Sequence, residues 1–184
     1  MMEARELRLH GDLNLILTGY VEPNRPRISR QLAQRLGLTL IDVEREMEER
    51  LGDTIANLRA TYGERHLKTV ETEIMDEVVL HRRGLIRVAG STLVGNVHLA
   101  DLQRNGVIVC LVASLDSILR RIHLTLGARY HNPVERSRAI GELQREWRIR
   151  EVEGVVEFDA TYVSEAVLIE RIAEFWRELA IRRG

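Results

Sequence analysis

Lysine is almost missing from this chain: Lys68 is the one lysine, and the remaining basic side chains are arginines. A function that needs an ammonium group in a loop therefore has a single position from which to draw it. Cysteine is equally scarce. Cys110 stands alone inside the apolar run 107–112, which excludes an internal disulfide framework and a cysteine metal site, and predicts a buried structural thiol. Net charge is also nearly absent, at -1 with a pI near 6.6, which removes the electrostatic case for a nucleic-acid or anionic-membrane partner. No apolar stretch approaches the roughly 18 residues of a membrane span. The opening MMEARELRLHGD has no signal-peptide core, and a cytoplasmic chain is expected. His66, His81, His98, His123 and His131 are scattered without metal-ligand spacing and read as solvated or partly packed side chains.

What the sequence does contain is a regular alternation of short apolar runs and helical patterns across 184 residues, expected to form one domain after a polar lead-in at 1–12. Leu13, Leu15, Ile16 and Leu17 make a run ending at Gly19, the pattern of a strand buried on both faces. Pro26 can open the helix that follows, with Ile28, Leu32, Ala33 and Leu36 at helical spacing before Gly37. The same logic predicts strands at 38–42, 85–89, 107–112 and 160–163. It predicts helices at 44–51, 54–62, 64–81, 97–103, 114–126, 134–152 and 164–181, with Ser114 or Asp116 as the cap of the 114–126 helix and Ser164 as the cap of the last. The expected fold is α/β, with a central five-stranded parallel sheet flanked by helices in three layers.

In such sheets ligands bind beyond the carboxyl ends of the strands, which gathers 19–26, Asp42 with Glu44, and 90–92 at one edge. The first of these stretches has the spacing of a phosphate loop, which needs Gly, four residues, then Gly-Lys-Ser/Thr. Here Gly19 is followed after four residues by Asn24-Arg25-Pro26. Asn24 can adopt the left-handed conformation glycine supplies. Arg25 keeps a positive charge in a wider, planar form. Pro26 removes both the hydroxyl that would hold Mg²⁺ and a backbone N–H, and Pro23 removes another N–H. The stretch is either an anion- or nucleotide-binding loop or a structural remnant of one.

The order and spacing of these segments resembles the shikimate kinase family of P-loop small-molecule kinases, over roughly 13–180. The resemblance is carried by NLILTGYVEPNRPRISRQLAQRLG, LIDVEREMEERLGDTI, YGERHLKTVETEIMDEV, LIRVAGST and VIVCLVASLDSILRRI. It implies a P-loop NTPase-like fold, and ATP with Mg²⁺ as cofactors if the chain is active. It also implies roles by position: Gly19, Asn24 and Arg25 for the nucleotide, and Asp42 for the metal. Glu44, Lys68, Gly90, Ser91, Thr92 and Arg150 would serve the substrate, with Glu71 orienting Lys68. Residues 124–136 would form a lid, with Arg129 reaching the transferring phosphate; Arg25, Asp42 and Arg129 would be the catalytic set.

Each assignment has a plainer counterpart. Asp42 is either a metal or water contact or the cap of the next helix. Lys68 and Glu71 are either a ligand site or a surface pair stabilising the helix by a few tenths of a kcal/mol. Ser91 and Thr92 can simply cap backbone groups, and Trp147 and Trp176 are expected to pack on helix faces. Two main functions follow, beside a third in which the fold alone serves as a protein-interaction scaffold. One is a binding or regulatory domain whose phosphate loop has lost normal MgATP-dependent transfer, with a small molecule, a protein or a second copy as partner. The other is an active kinase acting on shikimate or a related carboxylated, polyhydroxylated substrate.

Overall fold

The computed structural model describes residues 12–19, 26–127 and 132–182. Strand β1 (Asn14–Gly19) and helix α1 (Pro26–Leu36) flank the candidate phosphate loop, and β2 (Thr39–Asp42) runs directly into α2 (Val43–Leu51). Helix α3 spans Ile55–Val78 but is broken by the backbone of Gly63 (φ 76°, ψ 167°), which yields the two helices expected on either side of that residue. Strand β3 (Gly84–Arg87) leads to the short helix α4 (Gly90–Leu93) and then α5 (Leu99–Arg104). The chain continues through β4 (Gly106–Val112), α6 (Leu115–Leu126), α7 (Pro133–Trp147), a 3₁₀ turn (Arg148–Glu151), β5 (Val156–Asp159) and α8 (Glu165–Arg182).

The five strands pair in parallel in the order β2-β3-β1-β4-β5. Side chains on successive strand residues point to opposite faces, so a strand buried on both must be apolar throughout. Leu15, Leu17, Leu85, Val109 and Leu111 join the core beneath α1 and α8, where Leu32, Ile172 and Trp176 pack. Ile16, Ile86, Ile108 and Cys110 face the opposite core, with Leu67, Ile74 and Val78 of α3. Cys110 is fully buried, as its setting in the sequence predicts. Asn14, also fully buried, ties the start of β1 to β3: its amide donates to the His81 carbonyl at 2.7 Å and its side-chain oxygen accepts from the Gly84 N–H at 2.9 Å.

Two expectations are corrected. The fifth strand lies at Val156–Asp159 and not at 160–163, where Thr161 instead folds back so that its N–H donates to Asp159. The stretch expected as a loop at 90–92 is a single helical turn, α4. Ser114 caps α6 by accepting from the Ser117 N–H, and Ser164 accepts from the Val167 N–H at the start of α8. Among the described residues no helix is long and apolar enough to cross a membrane.

Candidate functional site

The parallel register brings the carboxyl ends of β1, β2 and β3 together. At the end of β1, Gly19 has φ 87°, and a Cβ there would lie 2.3 Å from the Leu111 carbonyl oxygen of β4. Pairing of the two central strands therefore requires glycine at this position, with or without a phosphate beyond it. Asn24 and Arg25, expected to contact a nucleotide, lie outside the described residues, as does Arg129 of the expected lid.

At the end of β2, Asp42 is almost fully buried. One of its oxygens caps α2 by accepting from the Arg45 N–H at 3.3 Å. The other accepts from Nε of Arg87 at 2.7 Å, across the β2–β3 register that sets these two residues side by side. The same guanidinium donates through Nη2 to Glu44 at 2.8 Å. Burial works against the charge on Arg87, but the hydrogen bond to Asp42 and the charges of Glu44 and Asp42 outweigh it and hold the guanidinium above its ordinary pKa. One fork thus bridges the acid expected to serve a metal and the acid expected to serve a substrate.

As arranged, Asp42 and Glu44 do not fit direct coordination of a divalent cation between them. The Arg87 guanidinium occupies that place, each Asp42 oxygen already accepts a hydrogen bond, and no group of three or more His, Cys, Asp or Glu is placed to hold a metal among the described residues.

Beside this edge, a cavity of about 620 Å³ opens between α3, α4 and α7. Its walls carry three ion pairs, Arg59–Glu64, Lys68–Glu71 at 2.6 Å and Arg138–Glu142 at 3.4 Å. Glu71 also accepts from the Thr92 hydroxyl, so the expected Lys68–Glu71 contact is extended to α4. Glu146, in the last turn of α7, accepts from the Gly90 N–H at 2.6 Å and the Ser91 hydroxyl at 2.7 Å. The two elements touch so closely that a Cβ on Gly90 would sit 2.0 Å from the Glu146 carbonyl oxygen. Arg145 lines the same cavity and has no acidic partner among the described residues.

Lys68, Ser91 and Thr92 are therefore brought together as expected, with Gly90 beneath them. Glu44 and Arg150 do not line this cavity among the described residues. Glu44 is turned to Arg87, and Arg150 sits past the end of α7 in the 3₁₀ turn, paired with Glu157 at 2.7 Å and stacked over Trp147. The cavity's free arginine is Arg145, five residues earlier. Its phase was readable, since Arg138, Glu142 and Arg145 recur at helical spacing and share a face of α7. Arg87 had a weaker signal, a charge closing an otherwise apolar strand.

Comparison with known proteins agrees with this architecture. The family model for shikimate kinase matches residues 26–175. The shikimate kinase of Thermus thermophilus is 31% identical over 170 residues, which is 90% of this chain and 91% of that enzyme. The shikimate kinase of Caldicellulosiruptor bescii is 30% identical over 109 residues, a match spanning 59% of this chain and 63% of that enzyme. Among solved structures, shikimate kinase from Acinetobacter baumannii in complex with shikimate superposes with a TM-score of 0.73 at 18% identity, covering 95% of this chain and 98% of that one. Shikimate kinase from Bacteroides thetaiotaomicron gives 0.69 at 21% identity, over 91% and 97% of the two chains. The structures establish the shared fold, and with the family match and the Thermus relative they lead to one conclusion: this chain belongs to the shikimate kinase family.

Proposed function

We propose that the chain is a binding or regulatory member of its family in which MgATP-dependent phosphotransfer is impaired or lost. The observation that carries this reading is Arg87, whose guanidinium satisfies Asp42 and Glu44 from within the protein. Phosphoryl transfer rests almost wholly on positioning and on neutralising charge, so replacing an exchangeable cation by a fixed one removes a central part of it. The sequence of the loop points the same way, since Asn24-Arg25-Pro26 offers neither an ammonium nor a metal-binding hydroxyl. In this reading the cavity beside Lys68, Ser91 and Thr92 remains a ligand site for a small carboxylated molecule, with Arg145 in the role the sequence had suggested for Arg150.

A second reading is favoured by the 31% identity to the Thermus enzyme over nine-tenths of both chains. Here ATP phosphorylates shikimate or a related polyhydroxylated carboxylate, and Arg25 neutralises the phosphates. Calorimetric titration with ATP, with and without Mg²⁺ and shikimate, separates the two. Binding tighter than about 100 μM, roughly -5.5 kcal/mol, together with turnover abolished by Arg25→Ala, establishes the kinase. Absence of ATP binding in the parent, restored by Asn24→Gly, Arg25→Lys and Pro26→Ser together, supports the binding domain with a decayed loop.

A further inference from the structure

The charges around the cavity balance in number, four cations to four carboxylates, but not in pairs. Three of its carboxylates are matched to three of its cations, and Glu71 is fully engaged by Lys68 and Thr92. Two charged groups are left over. The Arg145 guanidinium has no acid opposite it among the described residues. The Glu146 carboxylate is held by two neutral donors, the Gly90 N–H and the Ser91 hydroxyl, so its position is fixed while its charge stays uncompensated. It cannot easily withdraw, because the backbone of Glu146 is packed directly on Gly90.

We propose that this cavity takes a small zwitterion, an amino-carboxylic acid whose carboxylate meets Arg145 and whose ammonium meets Glu146. The proposal rests on the reading that the cavity is the chain's ligand site, and it adds the class of ligand. A purely anionic ligand leaves Glu146 facing another negative charge, and a hydroxyl can donate to Glu146 without cancelling its charge. An ammonium does both, and charge-assisted hydrogen bonds are the stronger kind. Glu146 is then the residue that sets specificity, by attracting the amine and by repelling a second acid.

The test is calorimetry with a ring-matched set: aminocyclohexanecarboxylic acid, its hydroxy analogue, cyclohexanecarboxylic acid and cyclohexylamine. The amino acid is expected to bind at least about tenfold more tightly than the hydroxy acid. Glu146→Gln retains an acceptor for the Gly90 N–H, and is expected to remove that preference while leaving the hydroxy acid within about twofold. Arg145→Gln is expected to weaken every carboxylate and to spare cyclohexylamine. Equal binding of the amino and hydroxy acids by the parent overturns the zwitterion, as does a preference that survives Glu146→Gln, and either result leaves a carboxylate site standing. If the parent binds no carboxylate, or binds them unchanged after both Arg145→Gln and Lys68→Met, the ligand-site reading itself falls. The parent series decides the matter even if a variant fails to fold.

Discussion

Replacing Arg87 by methionine would expose what the guanidinium is holding. The substitution keeps much of the aliphatic stem and deletes two charge-assisted hydrogen bonds, removing the guanidinium that lies between Asp42 and Glu44. Asp42 is 6% exposed, Arg87 17% and Glu44 29%, so the first pair is shielded and the second partly wet. Removing one partner of a buried ion pair destabilises by about 3–5 kcal/mol, and the wetter half of this cluster argues for the lower end, about 3 kcal/mol. For a chain of this size that corresponds to a fall of about 6–12 °C in Tm. Urea unfolding of the parent, Arg87→Met, Asp42→Asn and the double variant would measure it, and the cycle should return a coupling of at least about 1 kcal/mol. Asparagine can still accept from the Arg45 N–H, so the double variant should recover part of the loss. The same proteins are then melted with added Mn²⁺: Arg87→Met should gain stability from the ion, and the parent should not. A loss below about 1 kcal/mol would refute the bridging role, and so would an equal response of parent and variant to Mn²⁺.

Three further substitutions and one reactivity test bear on the rest of the site. Gly90→Ala places a methyl 2.0 Å from the Glu146 carbonyl oxygen. The resulting displacement of α7 should cost about 2 kcal/mol or more in urea unfolding; a neutral result would mean that α4 and α7 are not in contact. Gly19→Ala should be at least as harmful, since it combines a φ of 87° with a 2.3 Å approach to the Leu111 oxygen, and added ATP should not change the size of the loss. Lys68→Met should alter stability by no more than a few tenths of a kcal/mol, because Lys68 is 60% exposed and its ion pair is a surface one. A large loss would assign it a structural role instead. Burial pushes the Cys110 thiol up to about 12, so at pH 8 the folded protein carries almost no thiolate there. A disulfide reagent should label the cysteine only as fast as the chain unfolds, and rapid labelling of the native protein would contradict its position in the sheet.

Some of this was legible in the sequence, and the divide follows how far each residue's partners lie along the chain. Strand β1 and helix α1 could be read directly, because Leu15, Ile16 and Leu17 face two cores at once and admit no polar alternative. Asp42 and the Lys68–Glu71 pair were also readable, one as the acid closing a strand and the other from its spacing on a helix. Strand β5 lies four residues before the position that the apolar pattern predicts because it is an edge strand: Glu157 and Asp159 are exposed, which breaks the apolar run, while 160–163 has the more strand-like composition. The role of Arg87 has little local signal because its partners are 45 and 43 residues away, and only the β2–β3 register brings them together. Arg145 was obscured by the number of arginines around it. Arg150 is the last of them before β5, but the helix ends before it and the chain turns its side chain to Glu157.

Two carboxylates at a strand end normally repel until a ligand arrives to reconcile them, which makes such a place loose and its order dependent on concentration. The Arg87 fork ends that dependence. The reconciling charge is covalently part of β3, present at unit occupancy in every copy, undiluted by purification and unaffected by chelators. A region that would be among the most labile of an empty metal-requiring site should here exchange its amide hydrogens as slowly as the centre of the sheet, and do so equally in the presence and absence of any added ion.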